Sequence, residues 1–305
     1  MNKIILLATD SGKTLADLLY KELKDQMEYG SISQRIFRNQ ESHSCVNTDV
    51  NNKTVVLVTR IQKYNQKSLN DCLVETCIIN GSIKEAGAKH IINIIPYFPY
   101  LRQDRIQKSG ECLSSKTIIK MLEVSGADKF ITVDIHSHRV LPFFSKKLIA
   151  LEAYPIFANY IKKNLSCKEI VIIAPDKGAV DISKKLAKVV NANVAAINKE
   201  RQLTGEVVLH GIEGNIKGKN CILYDDIIDG GSTVVNGVNL IRKYEPKSIT
   251  VFCTHAILSV PENLENLNIR IIGTDAVVHP DQFFMQYQWY KEISIAPLIV
   301  KELAK

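Results

Sequence analysis

The amino-acid sequence predicts an α/β protein of two similar domains, each with a central, mostly parallel sheet flanked by helices. Apolar runs of strand length recur along the chain and are mostly continuous rather than alternating, the mark of strands buried on both faces. Several stretches between them place apolar residues at helical spacing, so strand and helix alternate. The length of 305 residues exceeds the usual size of one hydrophobic core and favours two units of about 150 residues each.

The elements follow in order. Ile4 to Ala8 reads as the first strand, since Met1 to Ala8 carries one lysine and a short apolar run closed by Thr9 and Asp10, too short for a secretory signal core. Ser11, Gly12, Lys13 and Thr14 invite a phosphate-loop reading, but that pattern needs a glycine five residues before Gly12, where Leu7 stands. They read instead as the start of a helix whose Leu15, Leu18, Leu19 and Leu23 share a face. Strands over Thr54 to Thr59, His90 to Ile95 and Phe130 to Asp134 follow. Ser68 with Asp71, and Ser114 ahead of Ile118, read as helix N-caps, and Gly87 and Gly126 close helices. Beyond a region at Ser145 to Glu152 the cadence resumes over Glu169 to Ala174, Val194 to Ile197, Asn220 to Tyr224, Ser248 to Thr254 and Ile269 to Thr274. This places one domain over residues 1–146 and the next from 147.

With 46% hydrophobic and 23% charged residues, the chain reads as soluble and globular. No apolar run reaches membrane length. The formal net charge of +7 does not point to nucleic acid, because lysines such as Lys184, Lys185 and Lys188 are spread along helix faces without interleaved aromatics. Seven cysteines lack any C-x-x-C pair, and Cys72 and Cys221 sit inside apolar runs, so buried thiols in a reducing, cytoplasmic setting are expected.

The chemistry concentrates at strand ends, where parallel sheets gather ligands. The apolar residues 221–224 run into Asp225 and Asp226, then Asp229, Gly230, Gly231, Ser232 and Thr233. Two acids can accept hydrogen bonds from vicinal hydroxyls, and a small, glycine-rich helix start can turn N–H groups toward a phosphate. That order suits a sugar phosphate; the alternative is an ordinary strand-to-helix turn with solvated acids. Residues 96–105 combine Tyr97, Phe98 and Tyr100 with Arg102, Gln103, Asp104 and Arg105. The set suits a planar base and a polyphosphate, and equally a loop stiffened by Pro96 and Pro99. His136 and His138 end one strand and Asp176 another, where imidazole and carboxylate could share a divalent ion with substrate phosphates. Lys199 and Arg201 flank Glu200 ahead of residues 202–206, as solvated cations or as a mobile loop that closes over phosphates.

Together these motifs resemble the ribose-phosphate pyrophosphokinase family: residues 96–105, 132–137 around His136, 174–178 around Asp176, 199–201, 225–233 and 294–298, in the family's order across nearly the whole chain. The resemblance implies two phosphoribosyltransferase-type α/β domains, 1–146 and 147–292, with a C-terminal helix, 293–305, packing back on the first. It implies transfer of the diphosphoryl group of Mg²⁺-ATP to the anomeric hydroxyl of ribose 5-phosphate, giving 5-phosphoribosyl 1-diphosphate and AMP. Arg102 and Gln103 would hold ATP, with His136 and Asp176 near its Mg²⁺. Asp225 and Asp226 would orient the ribose hydroxyls, and Asp229 to Thr233 would cradle the 5-phosphate. Lys199 and Arg201 would be the catalytic cations. Phe37, Asn39 and Glu41 would reach the adenine of a neighbouring subunit, which makes a homodimer the minimum assembly.

Departures are specific. The adenine loop commonly reads Phe-Ser-Asn-Gln-Glu in one form, and Arg38 replaces its serine here. After His136 many members continue Gln-Ile-Gln-Gly-Phe-Phe-Asp, where this chain has Arg139 to Phe144 followed by Ser145, and residues 108–115 lack the usual arginine and proline. Weak or absent ADP allostery is therefore expected. Two rivals remain at this point. A phosphoribosyltransferase would share the acid-pair loop but has no need of Arg102, Gln103 and His136, and a non-catalytic homologue would be expected to lose loop cations or ribose acids.

Overall fold

The computed structural model describes residues 4–165, 169–201 and 207–305, with the side chains at 200, 201 and 207–209 outside that description. It divides into two compact units, Met1–Leu151 with Ala296–Lys305, and Glu152–Ile295.

The first unit runs β1 (Ile4–Ala8), α1 (Lys13–Leu23), β2 (Met27–Tyr29), β3 (Ile32–Ile36), β4 (Ser42–Val46), β5 (Thr54–Val58), α2 (Leu69–Glu85), β6 (His90–Ile94), α3 (Ser114–Val124), β7 (Lys129–Val133) and β8 (Lys147–Leu151). Its parallel sheet has the order β2-β1-β5-β6-β7-β8, and β3 and β4 form a separate antiparallel hairpin. β1, β5, β6 and β7 bury most of their side chains, which explains their largely continuous apolar sequences. Ser68 caps α2 in a reciprocal box with Asp71. Ser114 does not cap α3: Leu113 stands at the cap position and Ser114 is the first helical residue.

The expected boundary at 146/147 moves to 151/152, because β8 pairs with β7 from Lys129↔Lys147 to Val133↔Leu151 and so completes the first sheet. As a half-exposed edge strand, β8 lacks the continuous apolar signature of the interior strands.

The second unit runs α4 (Tyr154–Asn164), β9 (Ile170–Ala174), α5 (Val180–Val190), β10 (Asn193–Arg201), β11 (Val207–Glu213), β12 (Asn220–Ile228), α6 (Ser232–Arg242), β13 (Ser248–Ala256), α7 (Glu262–Glu265), β14 (Arg270–Thr274), α8 (Asp281–Gln286) and β15 (Tyr290–Ile293). The sheet order is β11-β10-β9-β12-β13-β14-β15, with β10 and β11 antiparallel and the other pairs parallel. Its core joins Val171, Ile173, Ile197, Leu223, Val238, Val251 and Ile271. Phe157 of α4 stacks on Phe252 and meets Tyr224 edge-on, locking α4 to β12 and β13. The closing helix α9 (Ala296–Leu303) groups with the first unit, where it packs against α1.

Cys72, Cys221 and Cys253 are buried as expected of apolar-run thiols, but Cys45 and Cys112 are exposed, on the hairpin and in the segment before α3. Among the described residues no helix is long and apolar enough to cross a membrane.

Candidate active site

In the second unit β9 lies between β10 and β12. The chain leaves β9 for β10 on one side and returns to β12 on the other, opening a crevice at the carboxyl ends of β9 and β12. Asp176 stands two residues beyond β9, and Asp225 and Asp226 lie in the last part of β12. β12 runs four residues past the apolar pattern because β13 keeps pairing with it as far as Ile228↔Ala256, so these acids are held by a strand rather than a loop. The Asp226 N–H donates to Asp225 Oδ1 at 3.0 Å. Burial pushes the Asp225 carboxyl well above the usual carboxylate range, reinforced by the charge of Asp226, a hydrogen bond with it and the charge of Asp176. A pair so placed favours hydroxyl donors or a cation and resists further negative charge.

Asp176 divides its two oxygens. Oδ1 accepts the N–H groups of Gly178 at 2.8 Å and Ala179 at 3.1 Å, fixing the tight turn that leads into α5. Oδ2 pairs with Lys199 Nζ at 2.6 Å. Lys199 and the backbone of Arg201 belong to β10, not to the loop that the polar sequence suggested, because β11 pairs with this stretch and satisfies its backbone. The register shifts between Asn198 and Lys199, a bulge of the kind that re-aims side chains near ligand sites. The Arg201 side chain and residues 202–206 lie outside the described residues.

Past β12, Asp229 Oδ1 accepts from Ser259 Oγ. Gly231 sits at φ +83° at the head of α6, where a Cβ would meet Leu264 Cδ2 at 2.9 Å, so backbone and packing both demand glycine. At Gly230 a Cβ would meet nothing within 4 Å, so protein packing does not require glycine there. Ser232 and Thr233 occupy the first turn of α6, whose N–H groups and dipole favour an anion.

The first unit holds the other expected residues. Phe37, Asn39 and Glu41 form the tip of the β3–β4 hairpin, where the Phe37 N–H donates to the Glu41 carbonyl at 2.8 Å. Asn39 Oδ1 accepts the Glu41 N–H at 3.3 Å, which gives it a part in shaping the turn. Phe37 is exposed, with the Arg35 guanidinium 4.9 Å from its ring centroid and His43 edge-on at 6.0 Å. Arg35 and His43 are cross-strand partners, two residues from Phe37 and Glu41 respectively. The motif reading missed this pair; period-two alternation from Phe37 was the signal that could have found it.

Residues 96–105 split by role. Phe98 and Leu101 are buried in the core with Phe130 and Ile119, and Tyr100 donates to Asn70 Oδ1 at 2.6 Å, so Phe98 and Tyr100 serve the loop rather than a base. Arg102 and Gln103 are exposed, and the Gln103 carbonyl accepts Ser115 Oγ at 2.8 Å, tying the loop to α3. His136 is exposed three residues beyond β7.

A family model described as the N-terminal domain of ribose phosphate pyrophosphokinase matches residues 4–126, and one described as a phosphoribosyl transferase domain matches residues 145–287. The ribose-phosphate pyrophosphokinase of Bacillus cereus is 36% identical over 234 residues, covering 76% of this chain and 73% of the relative. That of Corynebacterium glutamicum is 30% identical over 295 residues, covering 95% and 88%. The chain belongs to the ribose-phosphate pyrophosphokinase family. The crystal structure of phosphoribosylpyrophosphate synthetase from Mycobacterium smegmatis matches it with a TM-score of 0.88 at 28% identity, over 99% of this chain and 98% of that one.

Membership in this enzyme family raises the question of a metal. Among the described residues no three His, Cys, Asp or Glu side chains converge as a metal cage. Mg²⁺ keeps several waters and takes one or two carboxylates together with substrate phosphates, so it needs no such cage. The Asp176 carboxylate is a hard oxygen donor that fits such an ion, whereas the imidazole of His136 is a poorer match to it.

Proposed function

We propose that this member of the ribose-phosphate pyrophosphokinase family transfers the β,γ-diphosphoryl group of Mg²⁺-ATP to O1 of ribose 5-phosphate. The observation that carries the reading is the run from Asp225 and Asp226 of β12 into the Gly230–Gly231 helix start, together with the ion pair between Asp176, just past the adjacent β9, and Lys199 of β10. The relatives' names support the same reaction.

Asp225 and Asp226 would accept hydrogen bonds from the ribose hydroxyls, donors that a carboxylate pair under mutual repulsion welcomes. Asp229 to Thr233 would seat the 5-phosphate on the α6 N-terminus, with the bare Gly230 allowing close approach. Exposed Arg102 and Gln103 would bind the triphosphate, and Phe37, Asn39 and Glu41 the adenine of a neighbouring subunit in a dimer or larger homo-oligomer. O1 attacks the β-phosphorus as the bridge from the α-phosphate to the β-phosphorus breaks; AMP leaves and the O1 proton passes to solvent. Charge spreads over the phosphate oxygens, so Lys199 and Arg201 would act chiefly by electrostatic stabilisation. Asp176 would hold Mg²⁺, whose charge would supply further neutralisation of the phosphates, and His136 is the other candidate ligand. Exposed thiols at Cys45 and Cys112 fit a reducing cytoplasmic setting.

Ser145 bears on regulation. Its N–H and hydroxyl, with the Lys146 N–H, donate to the Glu123 carboxylate at 2.5, 2.7 and 2.8 Å, tying down the segment that departs from the regulated pattern. We read the enzyme as lacking ADP allosteric control on that departure. Chromatographic assay of nucleotides tests the reaction: AMP, not ADP, should form from ATP, and only with ribose 5-phosphate present. Formation of ADP would overturn it.

A further inference from the structure

Two residues given separate tasks, Asp176 at the metal and Lys199 at the transferring phosphates, are bonded to each other at 2.6 Å. The Asp176 carboxylate has little freedom to serve both. Its Oδ1 is committed to two backbone N–H groups that hold the turn after β9, which leaves Oδ2 as the oxygen open to a cation, and Lys199 takes it. An ammonium and a divalent ion at contact distance from the same oxygen repel each other, so each weakens the hold of the other there. The pair is only part-exposed, 28% for the lysine and 36% for the aspartate, so solvent screens it incompletely.

We infer that Asp176 is a positioning residue that parks Lys199, and that a divalent cation arriving at Asp176 Oδ2 displaces the ammonium and frees it for phosphate. Lys199 in turn acts as a built-in competitor for the metal. The exchange has a reason in the charge around it. Asp176 lies near enough to Asp225 to disfavour its ionisation, so an Asp176 stripped of any cation adds repulsion to an acid pair already under strain. Lys199 thus leaves when another cation takes its place, and the catalytic charge is withheld until metal has arrived with its nucleotide. The register shift between Asn198 and Lys199 is the kind of bulge that re-aims a side chain, and the lysine stem is long and flexible.

This inference rests on the functional reading above, and its test separates the two. Mn²⁺ binding to the full-length, nucleotide-free protein is followed by loss of the free-ion electron paramagnetic resonance signal, in wild type, Lys199→Met, Lys199→Arg and Asp176→Asn, with circular dichroism as the folding control. Lys199→Met should bind Mn²⁺ on the order of fivefold tighter than wild type, the effect of losing a part-screened ion-pair competitor. Lys199→Arg should restore the weaker affinity, and Asp176→Asn should bind weakest. Equal affinity in wild type and Lys199→Met, tighter binding in Lys199→Arg than in wild type, or absence of binding in every variant, would overturn the exchange. Wild-type protein that makes AMP from ATP and ribose 5-phosphate while showing any of these results loses the exchange alone. Protein that makes no AMP loses the functional reading, whatever its Mn²⁺ affinity.

Discussion

Asp225→Asn should make the protein more stable and a poorer enzyme. The Asp225 carboxyl is held above its usual range first by burial, then by the charge and hydrogen bond of Asp226 and the charge of Asp176. A carboxyl whose folded pKa exceeds its unfolded value of about 3.9 opposes folding once pH rises above that unfolded value, and the penalty grows until the folded group ionises as well. Asparagine keeps the oxygen that accepts the Asp226 N–H and removes the charge. Relief of one buried like-charge contact is worth about 1–2 kcal/mol at pH 8, or roughly 2–8 °C in Tm for a unit of this size. The gain should shrink as pH falls toward 4, where the native carboxyl is neutral too. Scanning calorimetry of both proteins at pH 5 and pH 8 measures it, beside KM for ribose 5-phosphate, which should rise about tenfold or more as a hydroxyl acceptor weakens. A variant with unchanged or lower Tm at pH 8, or a Tm difference independent of pH, would refute the strained acid pair.

Other consequences are open to direct measurement. Lys199→Ala should lower kcat by about 10²- to 10³-fold with substrate KM values within a few-fold, the signature of a contact made in the transition state; steady-state kinetics would expose an unchanged kcat. Gly231→Ala should lose about 1–3 kcal/mol in denaturant unfolding, since φ +83° and the Leu264 contact both exclude a Cβ, whereas Gly230→Ala should leave stability nearly untouched and raise KM for ribose 5-phosphate. Phe37→Ala should raise KM for ATP by about tenfold without altering the fold seen by circular dichroism, the loss expected for one aromatic–base stack. Initial rates against ATP at increasing ADP should stay hyperbolic, with ADP acting as a simple competitor; sigmoidal curves would show an allosteric site.

The interior strands were legible because burial on both faces writes itself as unbroken apolar sequence. β1, β5, β6 and β9 stand within a residue of their apolar runs. Strands with one wet face or polar sequences were not: β3, β4, β8 and β15 carry residues such as Ser33, Ser42, Lys147 and Lys291, whose pairing depends on distant partners. The same blindness to partners hid the ends of β10 and β12, where β11 and β13 carry chemically polar residues into the sheet. For the candidate site, residue types and order singled out the acid pair, Asp176 and Lys199. Their convergence at the carboxyl ends of β10, β9 and β12 needed the topology, and the Asp176–Lys199 bond needed coordinates. In the loop at 96–105 composition could not divide labour: Phe98 and Tyr100 hold the loop, and Arg102 and Gln103 face outward.

The most direct measurement is ³¹P NMR of the purified protein with ATP, Mg²⁺ and ribose 5-phosphate. Transfer of the intact diphosphoryl group predicts that the β and γ resonances of ATP move together onto a sugar-linked diphosphate as AMP appears in equal amount. Orthophosphate with ADP, or ATP left unchanged by folded protein, would contradict it.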